Sequence, residues 1–175
     1  RRIQFNDLAT LSDRVVAVGE RGTIVVSEND GQTWKVTHRD DDVPVTLTNI
    51  TALSETLLLA VGHDSVILRS EDAGLNWELV MRDGETGEPL MGTWSQHVYA
   101  YGSFGEFLVS DDAGRSFTAQ ELPLFGEHLS AMDGGQGDVR IMVGEMGLVL
   151  RSLDAGSTWD KLEPLYQGSL FGVAH

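Results

Sequence analysis

An eight-residue pattern recurs four times without gaps: Ser27-Glu28-Asn29-Asp30-Gly31-Gln32-Thr33-Trp34, Ser70-Glu71-Asp72-Ala73-Gly74-Leu75-Asn76-Trp77, Ser110-Asp111-Asp112-Ala113-Gly114-Arg115-Ser116-Phe117 and Ser152-Leu153-Asp154-Ala155-Gly156-Ser157-Thr158-Trp159. The serines are 43, 40 and 42 residues apart. A second mark keeps the same register. Gly19, Gly62, Gly102 and Gly144 each lie eight residues before a box serine, at the end of a short apolar run, and a small residue (Gly22, Ser65, Gly105 or Gly147) follows three positions on. Two independent features in one register identify a repeated supersecondary unit.

Each unit reads as four strands. The first is Phe5 to Thr10 in unit one, Leu47 to Leu53 in unit two and Leu90 to Trp94 in unit three, where a short turn at Ser95-Gln96-His97 follows. The second is the apolar run ending at the marker glycine. The third is Thr23 to Val26, Val66 to Arg69 or Leu148 to Arg151, and the fourth starts at the box aromatic, as in Trp34 to Thr37 and Trp77 to Val80. A strand, a tight turn and a second strand fit the glycine spacing, and no stretch sustains a helical period. A period near 40 residues suits a four-stranded propeller blade. The expected fold is all-β, a β-propeller of four-stranded antiparallel blades running roughly over 3–37, 45–80, 88–119 and 126–163, with 168–175 opening a fifth.

The box is a folding device. Its Asp accepts backbone N–H groups of its own turn, its Gly supplies a conformation that a Cβ penalises, and its aromatic ring buries a large area against a neighbouring sheet. The structural set is Ser27, Asn29, Gly31, Trp34, Ser70, Asp72, Gly74, Trp77, Ser110, Asp112, Gly114, Phe117, Ser152, Asp154, Gly156 and Trp159. Asn29 keeps an acceptor without charge, and Phe117 lacks the indole donor. One carboxylate per box is too few for a calcium cage of six to eight oxygens, and the five histidines show no metal-ligand spacing, so no metal or cofactor is expected.

The formal net charge is −15, from 27 acidic and 12 basic side chains. Such a surface repels nucleic-acid phosphates and anionic headgroups, so nucleic acid is not an expected partner. The absence of cysteine removes disulfides, thiolate metal sites and cysteine nucleophiles. No apolar run approaches the roughly 20 residues that span a bilayer as a helix, so no membrane insertion is expected. The sequence starts Arg1-Arg2-Ile3 without an initiator Met, which is compatible with removal of a leader or of a longer N-terminal region, so the lack of a signal peptide is uninformative.

The box resembles the Asp-box, or bacterial neuraminidase repeat. The longer patterns Val18-Gly19-x-x-Gly22-Thr23-Ile24-x-x-Ser27 and Val143-Gly144-x-x-Gly147-x-Val149-x-x-Ser152 resemble the photosystem II assembly factor (Ycf48-like) family of Asp-box propellers. The resemblance covers nearly the whole chain. It implies a seven-bladed ring about twice this length, a binding or assembly role, and a periplasmic or extracellular setting. The same box occurs in sialidases, other glycosidases and sortilin-like receptors, so fold alone does not choose among these functions. Four blades and a remnant leave blade faces without neighbours, and the expectation is a homodimer that covers them. A closed four-bladed monomer is the rival.

Chain direction separates two ends of the blades. The box turns lie at one end. The turns between second and third strands share the other with the long inter-blade connections, and loops on a rigid scaffold carry function. The candidate partner-binding residues there are Asp40, Asp41, Asp42, His63, Asp64, Asp83, Glu85 and Glu145. No catalytic residue is assigned: a sialidase needs an arginine cluster and a Tyr–Glu nucleophile pair, and Tyr99, Tyr101 and Tyr166 have no evident Glu partner. The expected function is a non-catalytic binding or assembly scaffold with a protein partner, serving a membrane-associated complex. The alternative is a fragment of an Asp-box glycoside hydrolase acting through paired carboxylates.

Overall fold

The computed structural model of the chain describes residues 2–39, 44–85, 87–94, 97–134, 137–164 and 166–174. Sixteen strands form four antiparallel sheets, each taking consecutive strands in order. The first sheet holds β1 (Phe5–Thr10), β2 (Val15–Gly19), β3 (Ile24–Ser27) and β4 (Lys35–His38). The second holds β5 (Leu47–Ala52), β6 (Leu58–Gly62), β7 (Ile67–Ser70) and β8 (Glu78–Met81). The third holds β9 (Leu90–Trp94), β10 (Val98–Gly102), β11 (Phe107–Ser110) and β12 (Thr118–Ala119), and the fourth β13 (Leu129–Gly134), β14 (Arg140–Gly144), β15 (Val149–Ser152) and β16 (Asp160–Lys161). No α-helix occurs among the described residues. The sheets stack in chain order without closing on themselves.

Three apolar clusters fill the three junctions. Val16, Val18, Ile24 and Val26 meet Leu47, Ile50, Leu58 and Leu68 between the first and second sheets. Leu59, Val61 and Ile67 meet Leu90, Ala100 and Leu108 between the second and third. Tyr99, Tyr101 and Phe107 meet Leu129, Met142, Leu150 and Trp159 between the third and fourth. Each fully buried aliphatic side chain contributes about 1.5–3 kcal/mol, so the sheets are held chiefly through their faces.

The inner strands are also laced laterally. Asp7 accepts the Ile50 N–H at 3.0 Å, and one sheet on, Asn49 accepts the Thr93 N–H at 3.0 Å. At the next step the equivalent residue is Gly92. There the Tyr101 hydroxyl lies where the missing side chain would be and hydrogen-bonds the Met132 backbone in its stead.

The box turns are built alike. Ser27, Ser70, Ser110 and Ser152 are nearly inaccessible. Each hydroxyl accepts the box Gly N–H (2.8–2.9 Å) and donates to the Asp or Asn two residues on. That oxygen in turn accepts the N–H four residues further along the box serine's turn: Thr33, Asn76, Ser116 or Thr158. Residues 30/31, 73/74, 113/114 and 155/156 are consecutive left-handed pairs, with φ between 54° and 90°, and this is why glycine holds the second place. Trp34, Trp77 and Trp159 donate Nε1 to the box Gly carbonyl at 3.0 Å.

Three details differ from the sequence reading. The fourth strands start one residue after the box aromatic, since the indole is committed to the turn, and in the third and fourth sheets they are two residues long. Trp34 is 45% exposed where Trp159 is 9% exposed, because the later box aromatics pack on the preceding sheet and no sheet precedes the first among the described residues. Finally, residues 166–174 form no strand. Gly168 does accept the Gly147 N–H, as Val45 accepts Gly22 three sheets earlier and Glu88 accepts Ser65 two sheets earlier. The segment thus begins in the register of a next inner strand, with no further strand among the described residues to pair with.

Two outcomes follow for stability. Ser70→Ala leaves the buried Gly74 N–H without an acceptor and should cost about 1–3 kcal/mol in a denaturant titration. Hydrogen bonds from the Thr158 hydroxyl, the Thr158 N–H and Ser152 pull the Asp154 carboxyl down to about 2. The Ser116 hydroxyl and N–H, with Ser110, hold Asp112 well below the usual carboxylate range. A folded-state value below the unfolded one gives stability that is complete above about pH 4 and lost as pH falls toward 2. Melting temperature against pH should drop steeply there, and Asp112→Asn with Asp154→Asn should flatten that limb.

Candidate functional site

The end of the stack opposite the boxes is shaped by the marker glycines. A Cβ on Gly19, Gly62, Gly102 or Gly144 would collide with the carbonyl of Gln4, Thr46, Pro89 or His128, just before each inner strand. The following N–H donates to that same carbonyl. The chain then turns through left-handed residues. Their tips are not glycines but Arg21 (φ 58°), Asp64 (56°), Phe104 (51°) and Met146 (57°). A bulky side chain in this region carries strain of order 1 kcal/mol, which a structure retains where the side chain has a use. Phe104 is 59% and Met146 71% exposed, and the Phe104 ring meets His128 edge-on at 4.5 Å.

A cluster of charged groups lies between the second and third sheets. Ser65 is fully buried and left-handed at φ 46°; its hydroxyl lies within hydrogen-bond distance of both oxygens of Glu106, at 2.9 and 3.0 Å, and of the Glu88 carbonyl at 3.1 Å, and its one proton is shared among them. Burial pushes the Glu106 carboxyl up, and the nearby charges of Glu88 and Asp83 add to that, against the lowering hydrogen bonds from Ser65 and the Glu88 backbone. Asp83 accepts the Glu85 N–H on Oδ1 and the Gly87 N–H on its carbonyl, and its own N–H reaches the Asp64 carbonyl at 2.9 Å. Arg82 approaches Asp64 at 3.4 Å.

The structure brings Asp64, Asp83 and Glu85 into one cluster. His63 is exposed at the same turn, its backbone N–H bonded to Thr46. Glu145 occupies the corresponding turn of the fourth sheet, away from this cluster. Asp40, Asp41 and Asp42 lie outside the described residues. The residue that sequence reading missed is Glu106, and the repeat held the signal. Its equivalents are Thr23, Val66 and Leu148, all at most 3% exposed, so a carboxylate there departs from the repeat at a buried position.

At the box end the carboxylates are ordered differently. Glu71 joins Arg69 at 2.7 Å to Arg115 at 2.8 Å, and the Arg69 bond, with the charge of both guanidiniums, holds its carboxyl below the usual range. Such a group accepts hydrogen bonds and does not donate a proton near neutrality. Among the described residues no group of three or more His, Asp or Glu is arranged to hold a metal ion.

No protein-family model matches the chain, and no curated protein does. Solved structures match. The chain is similar to YCF48 from Cyanidioschyzon merolae, with a TM-score of 0.64 and 17% identity over 90% of this chain and 55% of that one. PorZ of Porphyromonas gingivalis gives 0.65 and 16% over 93% and 23% of the two chains. A GH74 xyloglucanase from Xanthomonas campestris gives 0.64 and 16% over 89% and 29%. The chain thus spans 55% of the YCF48 chain and less than a third of the other two. At these identities the likeness establishes the fold, an open β-propeller array of the YCF48 kind.

The strain and the half-buried Glu106 carboxyl make separable predictions. Phe104→Gly should leave the fold intact and hold or raise the melting temperature, since the turn prefers glycine. Glu106→Gln should raise it at pH 7–8 and leave it unchanged below about pH 4. A carboxyl whose folded-state value is raised destabilises the fold only where it is ionised, and the difference vanishes once both states are protonated.

Proposed function

We propose that the chain is a non-catalytic binding scaffold whose loop end, opposite the boxes, captures a basic segment of a protein partner. The observation that carries this reading is the excess of carboxylates around Glu106, beside exposed apolar tips at Phe104 and Met146 on the same end. A partner suited to it presents Lys or Arg together with apolar side chains. Rim charges of this kind set encounter rate and salt dependence more than final affinity, while a few exposed aromatic anchors carry binding energy. The same proposal places the protein in the assembly of a membrane-associated complex, outside the cytoplasm. A propeller of like fold, PorZ, is described as an essential bacterial surface component of the type-IX secretion system. Among the described residues no helix is long and apolar enough to cross a membrane, so attachment to such a complex would run through a partner.

One observation favours a second reading. Glu106 is a carboxyl pushed up by burial beside Glu88 and Asp83, and unequal neighbouring carboxyls are how glycosidases separate acid from base. The GH74 likeness supplies a precedent for the fold alone. Against this reading, both Glu106 oxygens are tied to Ser65 across the junction, which suits a strut better than a proton donor.

The test is titration of labelled Lys/Arg-rich amphipathic peptides, read by fluorescence anisotropy. Asp64→Lys with Asp83→Lys and Glu85→Lys should weaken binding at least tenfold and abolish its salt dependence. Binding that is unaltered by the reversal would sink the scaffold assignment. A parallel screen of chromogenic glycosides addresses the second reading, where turnover lost in Glu106→Gln would establish it.

A further inference from the structure

At the box end of the second junction a groove runs between the outer strand of the second sheet and the box of the third. Both walls belong to sheets that have a further sheet on their other side. Two adjoining cavities of about 410 and 280 Å³ share Arg69, Glu71 and Glu78 in their lining. Leu79 and Arg115 complete the larger, and Asn76 and Trp77 the smaller. A cavity of about 370 Å³ recurs at the first junction, between Lys35 and Leu75, so the hollow itself follows from the way a box seats on the preceding sheet.

The floor sets the second groove apart. Strand pairing puts Val26 and Val109 at the position of Arg69 in the first and third sheets. The Arg69 side chain is 5% exposed. Its Nε is committed to the Ala113 carbonyl at 3.0 Å and its Nη1 to Glu71 at 2.7 Å. Nη2 has no partner among the described residues, yet it is not closed off from solvent. A guanidinium placed this deeply is costly unless its remaining N–H groups find acceptors, and the groove is where an acceptor can reach this one.

Donors and acceptors alternate around it. Glu71 takes Arg69 and Arg115 on the same oxygen, Oε1, at 2.7 and 2.8 Å, which leaves Oε2 without a partner among the described residues. Glu78 is the register partner of Arg69 on the outer strand, exposed, and its carboxylate makes no bond among the described residues. Beside it Leu79 presents an apolar surface, 54% exposed.

Charge selects among ligands. The two guanidiniums and two carboxylates cancel, so a cation meets Arg69 and Arg115, and an anion meets Glu71 and Glu78 within a chain of net charge −15. A zwitterion has to compete with the bridges that Glu71 already makes. A neutral molecule with adjacent hydroxyls does not, because each hydroxyl accepts from one side and donates to the other. The Glu71 bridge also fixes both guanidiniums beforehand, so less ordering is left to be done on binding.

We propose that this groove binds a neutral sugar, whose adjacent hydroxyls bridge Arg69 Nη2 and the carboxylates of Glu71 and Glu78 while its ring C–H face rests on Leu79. The site lies at the opposite end of the sheets from the acidic loops and is independent of what they capture.

The experiment is saturation-transfer difference NMR on the full chain, with cellobiose, maltose and lactose as probes and glucuronate and alanine as the anionic and zwitterionic controls, each at about 10 mM. Glu78→Ala and Arg69→Met run in parallel, and far-UV circular dichroism confirms that each is folded. The expected result is transfer to at least one disaccharide, none to glucuronate or alanine, and affinity lowered about tenfold or more in both variants. Transfer to no disaccharide overturns the inference. So does transfer to either control in place of the disaccharides, or disaccharide binding that either folded variant leaves unchanged. Should Arg69→Met misfold, the exposed Glu78→Ala decides alone.

Discussion

The buried serine hydroxyl at the box corner governs the arrangement of the sheets. Ser70 is a convenient case. Its hydroxyl accepts the Gly74 N–H and donates to Asp72, whose carboxylate then gathers the N–H groups of Leu75 and Asn76. That network fixes a left-handed pair at Ala73 and Gly74, and the pair turns the indole of Trp77 onto its own turn and toward the preceding sheet. One hydroxyl thereby sets a local turn, and the turn sets how sheets meet. The acid dependence of the carboxylates belongs to the same network, because the bonds that hold Asp112 and Asp154 low are the bonds that shape the corner.

The repeat made the sheets legible in advance, since register errors would have placed Gly19 and its counterparts away from the carbonyls that exclude a Cβ. The inner strand of the third sheet, the weakest in sequence, is where the spacing put it, at Leu90–Trp94. Less legible was everything that depends on a neighbour. Trp34 satisfies every local rule of its box and is still half exposed, because its burial is decided by a sheet that precedes it. The lateral lacing from Asp7 through Asn49 to Tyr101 could not be read either. There a tyrosine on a second strand substitutes for a side chain missing on a first strand, and only the stacked sheets bring those positions together.

The candidate site shows the same division. Asp64, Asp83 and Glu85 were visible as an acid excess in loops, which composition alone suggests. Glu106 was not, because it stands at the start of a strand among apolar counterparts. Its position gives the acid excess a structural centre. A carboxylate at the junction of two sheets ties Ser65 to Glu88, so the connection carrying Asp83 and Glu85 is anchored at its base. A rigid base with strained exposed tips suits recognition, since less ordering remains to be lost on binding.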